Sequence, residues 1–151
     1  MWARKFNYFT AIVWLLFFVL STLVIYGVFS YRSPAHRTLQ LGTSRYDLQI
    51  ADTDTARANG LSGRATLALN QGMVFVYKPP VQQCFWMKDM RFALDIIWLD
   101  DVHKVVHMAE GVPPESYPHT FCPDRPAAYV IELPAGEAAK HNVQRGDTLS
   151  F

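Results

Sequence analysis

Charged side chains are absent from residues 6–31 of this chain. The apolar stretch at residues 9–29, FTAIVWLLFFVLSTLVIYGVF, is long enough to cross a hydrocarbon layer of roughly 30 Å as a helix, at about 1.5 Å per residue. A convincing small-residue cleavage pattern is also absent after this stretch, which disfavours the alternative of a cleaved secretory signal. We therefore expect an uncleaved N-terminal transmembrane helix, a signal anchor.

The basic residues near this stretch do not fix its orientation, because they lie on both sides of it. A short basic tail with Arg4 and Lys5 before the first apolar segment is nevertheless typical of an anchor with a cytoplasmic N-terminus. We expect a soluble domain on the extracytoplasmic side of the cell membrane, with the lipid bilayer as a partner of the helix. The expected parts are a tail at residues 1–8, the helix at 9–29, a linker at 30–36 and the soluble domain at 37–151.

Basic blocks, internal repeats and low-complexity tracts are missing as well. Residues 32–151 carry twelve Lys and Arg against thirteen Asp and Glu, and the two signs are interspersed. No basic groove for phosphates is indicated, so nucleic acid is not an expected partner. The length and apolar content suit one globular domain with its own core.

The chain contains only two cysteines, Cys84 and Cys122. In an oxidising compartment they could form one disulfide, which would add on the order of 3–4 kcal/mol of stability in the chain-entropy model. They could equally be two separate buried thiols, because cysteine is among the most buried residue types. The sequence leaves both possibilities open.

Short strand patterns separated by turns dominate the soluble part. Asp100 and Asp101 form a tight turn, so the strands on either side of it should pair antiparallel. Residues 111–126 are rich in proline and are expected to form an irregular loop. These patterns predict a mainly β fold, a compact antiparallel β sandwich or partly closed barrel with one or two short helices. Strands are expected at residues 37–41, 46–51, 72–77, 84–87, 94–99, 104–109 and 129–133 and at the end of the chain, with helical turns near 54–59 and 136–142.

Charged residues are threaded through an apolar stretch at residues 85–100, FWMKDMRFALDIIWLD. Such charges must be paired, face water or serve a site, because an unpaired buried charge is very unfavourable. In a strand, Trp86 and Lys88 lie on one face, and an aromatic ring beside a cation suits sugars, carboxylates or peptide ends. The alternative is that Trp86 belongs to the core and Lys88 extends along it to solvent.

Two acids, Asp95 and Glu132, also stand among apolar residues. Each should pair with Lys88, Arg64 or Arg91, or else keep its proton because of desolvation. Together with Lys88 these acids could perform acid–base chemistry as a hydrolase or lyase-like enzyme. No nucleophile or catalytic triad is recognisable, so the sequence favours binding over catalysis and names no catalytic residue.

A metal site would have to draw on sulfur and imidazole groups, and soft sulfur ligands would favour Cu(I). The sulfur-bearing residues of CFWMKDM recur every third position, which aligns side chains on a helix, whereas the composition is typical of a strand. We therefore expect no metal and no cofactor. The residues considered were Cys84, Met87, Met90, His103, His107, His119 and Cys122.

Several blocks of the chain, taken in order, resemble a known family. They are Gly60-Leu61 with Arg64, then Leu69 through GMVFV, FWMK, LDII, Pro113-Pro114, Cys122-Pro123, IELPAG and Arg145-Gly146-Asp147. In this order they resemble the bacterial and archaeal domain of unknown function 192, or uncharacterised protein family 0127, over roughly residues 37–151. The resemblance implies a compact, mainly β domain that often follows a signal or anchor segment, and it implies no established activity. This chain differs from the family pattern at Ser62-Gly63, Asp89, Met90 and Ala93, beside the expected site.

The leading hypothesis is a membrane-anchored domain that binds a small molecule, a glycan or a protein segment. Its motivation is the placement of charged groups inside apolar strands. A hydrolase or lyase-like enzyme and a structural or assembly role at the membrane face are the alternatives. The expected ligand-binding residues are Arg64, Trp86, Lys88, Asp95, Glu132 and Tyr117, the last from the proline-rich loop.

Overall fold

The computed structural model describes residues 8–30 and 35–151, and within the first range the side chains of Tyr8 and residues 11–22. The chain forms two compact units, Met1–Ser33 and Pro34–Phe151. Residues 1–7 of the expected tail and residues 31–34 of the expected linker lie outside the described part. Tyr8 and Ser30 belong to the helix, and His36 begins the first strand.

The first unit contains one helix, α1, at Tyr8–Ser30. The hydroxyls of Ser21 and Thr22 donate to the carbonyls of Phe18 and Val19, each at 2.8 Å, so these polar side chains are satisfied within the helix. Among the described residues, no helix has both the length and the hydropathy that a membrane span requires.

The second unit is mainly β, as the sequence predicts, with eight strands in two sheets and two short helices. The large sheet has six strands in the order β1-β2-β3-β8-β5-β6, and β4 pairs with β7 in a two-residue ladder that we call the small sheet. The elements are β1 His36–Leu41, β2 Ser44–Ala51, α2 Asp54–Asn59, β3 Gln71–Val81, β4 Phe85–Trp86, β5 Leu94–Leu99, β6 Val105–Val112, β7 Thr120–Phe121, β8 Ala127–Pro134 and α3 Glu137–Lys140.

The expectation of purely antiparallel pairing is wrong at one place, because β2 and β3 run parallel. The chain leaves β2 through α2 and returns beside it, and a crossover of this kind is what parallel neighbours require. All other strand pairs are antiparallel, including β5 with β6 across the Asp100 turn. The large sheet is therefore mixed, and it does not close into a barrel through its strand pairs.

Two segments differ from their expected form. The proline-rich loop contains a 3-10 helix at Pro114–Ser116 and strand β7, because β7 finds a partner in β4. The expected last strand is reduced to isolated bridges, which link Ser150 to Gln40 of β1 and Thr148 to Lys104 before β6. The C-terminal segment thus contacts both edges of the large sheet.

The central strands of the large sheet are buried on both faces. Val74, Ile97 and Ile131 belong to a core that includes Ala138 of α3 and Leu149 of the C-terminal segment. Their neighbours along the same strands belong to a second core, under α2 and the small sheet. That second core includes Met73, Phe75, Ile96, Trp98, Val130, Leu61 and Phe85. The continuous apolar run of β5 has this cause, since a strand covered on both faces needs no polar alternation.

Candidate functional site

A pocket of about 340 Å³ opens at the second core, between the loop that follows α2 and the small sheet. Aromatic and aliphatic side chains form most of its wall, and a single acid, Glu132, lines it. We call this cavity the Glu132 pocket. The apolar lining is Leu61, Phe75, Phe85, Trp86 and Met90, and the polar lining includes Arg57, Asn59, Ser62, Tyr77, Gln83 and Thr120.

Glu132 lies in the middle of β8, opposite Met73 of β3 and Ile96 of β5. Its side chain is buried, and its Oε2 atom has no hydrogen-bond partner among the described residues. Burial raises the pKa of this carboxyl to about 8, although the positive charge of Arg64 acts in the opposite direction. At neutral pH the group is therefore mostly a neutral carboxylic acid, which can donate one hydrogen bond.

Tyr77 and Arg57 form the rim of the pocket beside the acid. The Arg57 guanidinium lies 5.4 Å from the centre of the Tyr77 ring, donates to the carbonyls of Asp52 (2.7 Å) and Val76 (2.9 Å) and forms an ion pair with Asp54. Burial raises the pKa of Tyr77 to about 12, with a smaller opposing effect of Arg57 and a further increase from Glu132. Both side chains are thus fixed, and Tyr77 stays a neutral phenol.

The small sheet and a disulfide make the outer wall. Cys84 and Cys122 are bonded to each other (Sγ–Sγ 2.11 Å), which is one of the two possibilities left open by the sequence. The bridge adjoins the pairs Phe85–Phe121 and Trp86–Thr120. Trp86 remains 57% exposed, and its ring meets that of Tyr117 edge to face at 6.3 Å. This wall has only two residue pairs, and the disulfide is a covalent link beside them.

The loop after α2 closes the pocket from the other side. Gly60 has φ +51°, and a Cβ there would lie 3.4 Å from the Phe75 ring, so the loop passes close over the aromatic lining. The Ser62 hydroxyl donates to the Lys88 carbonyl at 3.0 Å, and the Gly63 N–H donates to the Asp89 carbonyl at 2.9 Å. The loop is therefore tied to the segment after the small sheet.

The structure brings only some of the expected site residues together. Glu132 and Trp86 line the pocket. Arg64 lies near enough to Glu132 to affect its pKa, but its guanidinium donates to Gln49. Tyr117 touches Trp86 outside the lining. Lys88 is exposed and contributes its carbonyl to the Ser62 contact.

Asp95 lies on the opposite face of the sheet from the pocket. Its side chain is fully buried, and it accepts from the backbone N–H of Gly111 at 2.7 Å and of Ala138 at 2.8 Å. Both oxygens are thus used to join β5 to β6 and to α3. The partners of Asp95 are therefore backbone N–H groups, and not Lys88, Arg64 or Arg91 as expected from the sequence.

The histidines considered as metal ligands lie against different aromatic rings. His103 stacks on Phe151 (4.3 Å between ring centres), and His119 meets Phe121 (4.8 Å). His107 meets Trp98 at 5.3 Å. Within residues 8–30 and 35–151, no group of three or more His, Cys, Asp or Glu side chains is placed to hold a metal.

Several lining residues were not expected from the sequence, notably Arg57, Phe75 and Tyr77. Gly60 was visible as a helix stop, and the aromatic residues were visible as a strand pattern. To predict a pocket, one must know which strand faces line the same cavity. The residue pattern of a strand that is buried on both faces does not show this.

A second buried polar cluster joins α3 to the β1–β2 hairpin. The Tyr46 hydroxyl donates to Glu137, and it lies 2.9 Å from His141 Nε2. Burial acts to raise the pKa of Glu137, but the hydrogen bonds from Tyr46 and Lys140 outweigh it and lower that pKa. Each of these groups is satisfied by another, which is typical of a structural network.

The family model of domain of unknown function 192, described as Uncharacterized ACR, matches residues 37–151. The chain belongs to this family. This match confirms the resemblance that was found in the sequence. We call residues 37–151 the DUF192 domain, after the family's name. None of the curated proteins matches the chain.

Two solved structures resemble the DUF192 domain. One is a protein of unknown function from Novosphingobium aromaticivorans, with 26% identity, a TM-score of 0.68 and coverage of 80% of this chain and 94% of that chain. The other, from Sinorhizobium meliloti, is described as "a putative transcription regulator", with 25% identity, a TM-score of 0.72 and coverage of 80% of this chain and 97% of that chain. Both crystallised chains contain little besides the matched fold, and the corresponding part of this chain, Pro34–Phe151, is a compact unit.

Proposed function

We propose that the DUF192 domain binds a ligand in the Glu132 pocket and that the N-terminal helix anchors it to the extracytoplasmic side of a membrane. The ligand classes that we consider are a small molecule, a glycan or a protein segment. The observation that carries the proposal is that Glu132 lines the pocket and that its buried Oε2 atom has no hydrogen-bond partner among the described residues.

Buried polar groups in folded proteins are nearly always hydrogen-bonded, and an unmet one costs about 1–3 kcal/mol. Within the described part of the chain, Glu132 is the buried side chain with such an atom. Asp95 and Glu137 are buried acids of the same domain, and both have their partners. A ligand that supplies the missing acceptor would remove the cost at Glu132 and gain the contact with the aromatic wall.

The position of Trp86 supports a ligand that extends to the rim. Its ring is exposed beside the pocket and is held against Tyr117. Exposed aromatic rings at the mouth of a cavity suit sugar rings and the side chains of peptides, which present flat apolar faces. This arrangement favours binding over a purely structural or assembly role.

A catalytic role for Glu132 is the second candidate. An acid whose pKa is raised toward neutrality inside a pocket is typical of a general acid. The two-acid scheme is less favoured, because both Asp95 oxygens accept from the backbone and Lys88 is outside the lining. Glu132→Gln separates the two functions, since an amide still donates a hydrogen bond but transfers no proton. Loss of turnover on chromogenic glycosides or esters with retained binding would indicate catalysis.

The binding proposal is tested with the fragment that starts at Pro34. We would screen uncharged, cationic and anionic fragments and short glycans by ligand-detected NMR. Each hit is then repeated with Trp86→Ala, Glu132→Leu and the distant control Glu110→Gln. We expect hits that weaken in the first two variants and persist in the control. Absence of hits, or hits that are unaffected by both pocket variants, would contradict the proposal.

The membrane part of the proposal rests on the uncharged stretch of the sequence and on the apolar side chains of α1, among them Leu16, Phe17 and Leu20, which are exposed within the described helix. The disulfide supports an oxidising compartment. The full chain should stay in the membrane fraction after carbonate extraction, and added protease should digest the domain in intact spheroplasts. A soluble chain, or a domain protected from protease, would contradict this part.

A further inference from the structure

We infer that the Glu132 pocket selects an uncharged ligand whose carbonyl or amide oxygen accepts a hydrogen bond from the Glu132 carboxylic acid, while a ring of the ligand lies among the pocket's aromatic side chains. This inference rests on the proposed binding function and specifies its ligand class.

The first step is the state of the acid. No cation pairs with Glu132 among the described residues, because the nearby Arg64 guanidinium donates to Gln49. Desolvation keeps the proton on the carboxyl up to about pH 8. A protonated carboxylic acid donates one hydrogen bond, so the complementary ligand atom is an acceptor.

The second step concerns the charges that face the acid. Arg57 on α2 and Arg64 after it are the cations near this site, and Tyr77 on β3 is a neutral phenol. The small sheet contributes only uncharged side chains, Phe85, Trp86 and Thr120, to the lining. A ligand ammonium would meet Arg57 and would also require a buried ion pair with Glu132, which costs the desolvation of both ions.

An anionic ligand is disfavoured for a different reason. Arg57 already has Asp54 and two backbone carbonyls as partners, and Arg64 has Gln49. A carboxylate in the pocket would therefore lose its water without gaining a free guanidinium. An uncharged ligand with an acceptor atom avoids both of these desolvation costs.

The third step is the shape of the wall. Phe75 and Phe85 of the wall meet edge to face with 4.8 Å between ring centres. Behind the wall, Phe85 meets the fully buried Trp98 in the same way at 5.8 Å. Aromatic edges and faces arranged in this way accommodate another flat ring. A phenyl or sugar ring that carries an amide fits both the apolar wall and the single donor.

Three matched probes test the inference on the Pro34–Phe151 fragment. Benzamide is uncharged and carries an acceptor, benzylamine is a cation at pH 6, and benzoate is an anion at that pH. Affinities are measured by ligand-detected NMR at pH 6 for all three, and at pH 9.5 for benzamide. At pH 6 we expect benzamide to bind at least about tenfold more tightly than either charged probe, which corresponds to about 1.4 kcal/mol.

The pH dependence of benzamide affinity, measured in the unaltered chain and in three variants, gives the second readout. Benzamide affinity should fall about 30-fold between pH 6 and pH 9.5, because Glu132 ionises in between. Glu132→Gln should bind benzamide at both pH values with no such fall, since its amide also donates. Glu132→Leu should weaken binding at least about tenfold at pH 6. Glu110→Gln, at an exposed position, should behave like the unaltered chain.

Opposite results would overturn the inference. The inference fails if benzamide does not bind, or if benzylamine or benzoate binds more tightly than benzamide at pH 6. It also fails if the Glu132→Gln variant no longer binds benzamide at pH 6. If the broader fragment screen still yields charged ligands in the pocket, only the inference fails and the binding function stands. If the screen yields no pocket ligand, both fail. Thermal unfolding of each variant separates lost binding from lost folding.

Discussion

Asp95 and Glu132 lie on neighbouring strands of one sheet and point to opposite faces. Glu132 pairs with Ile96, the residue after Asp95, and side chains alternate along a strand, so the acids are one position out of phase. Asp95 accepts two backbone hydrogen bonds in the core under α3, whereas Glu132 has an unpartnered oxygen at the pocket. One acid thus stabilises the fold, and the other is the acid to which we propose that a ligand binds.

The pH dependence of stability should carry the signature of Glu132. Its pKa is about 8 in the folded chain and near 4.5 when unfolded. Between these values the unfolded chain has lost this proton and the folded chain keeps it, so the free energy of unfolding should fall as pH rises. The slope from this group is about 1.4 kcal/mol per pH unit. Urea unfolding of the Pro34–Phe151 fragment at pH 5, 6, 7 and 8 measures it.

Glu132→Gln is the matched variant for this measurement, because it keeps the size of the side chain and cannot ionise. The variant should lose the decline attributable to Glu132, while the exposed Glu110→Gln should retain it. Parallel curves for the unaltered chain and Glu132→Gln across this range would mean that the acid is not held in its protonated form.

Asp95→Ala should be strongly destabilising without a direct effect on the pocket. The change leaves the N–H groups of Gly111 and of the buried Ala138 without acceptors, for which we expect a loss of about 3 kcal/mol in the free energy of unfolding. Asp101→Ala, in the exposed turn after β5, should change it by no more than about 0.5 kcal/mol. Urea unfolding compares the two, and similar small losses would refute the structural role of Asp95.

Gly72 should tolerate no side chain, because β3 and β8 approach closely there. A Cβ at this position would lie 2.5 Å from the Glu132 carbonyl and 2.8 Å from Leu48 Cδ2. We expect Gly72→Ala to lower stability by about 3 kcal/mol or more, since a backbone carbonyl cannot move aside. Gly63→Ala meets no atom within 4 Å but has φ +76°, so its cost should be only about 1–2 kcal/mol. Thermal unfolding that ranks the two variants the other way would contradict this explanation.

The disulfide should contribute both to stability and to the pocket. Cys84 and Cys122 are 38 residues apart, and closure of such a loop adds about 4 kcal/mol in the chain-entropy model. The double variant Cys84→Ser, Cys122→Ser should lose about that much and should also bind pocket ligands more weakly, because Cys84 is part of the wall. The unaltered chain treated with dithiothreitol should match the double variant. Unchanged unfolding temperatures in both samples would show that the bridge contributes little.

The strands were largely predictable from local patterns. The apolar run of β5 and the Asp100 turn indicated the β5–β6 hairpin, which the structure contains. The parallel pairing of β2 and β3 was not expected, although the sequence has a strand, a helix and a strand in that order. Such a crossover becomes evident only when the short α2 is recognised as a connection between neighbours.

Some residues of the site could be predicted from the sequence, but their arrangement in space could not. Desolvation was one of two states considered for Glu132, and an ion pair was the preferred one. For Trp86, a binding platform and a place in the core were both considered. The separation of Asp95 from Glu132 depends on the register between β5 and β8. A strand that is buried on both faces gives no polar alternation from which that register could be read.

The most direct test of the central claim is a crystal structure of the Pro34–Phe151 fragment soaked with benzamide at pH 6. We predict ligand density in the Glu132 pocket, with the amide oxygen within about 2.6–3.2 Å of Glu132 Oε2 and the ring against Phe75 and Phe85. A structure in which Oε2 is bonded to a protein group and the pocket excludes the ligand would contradict the claim.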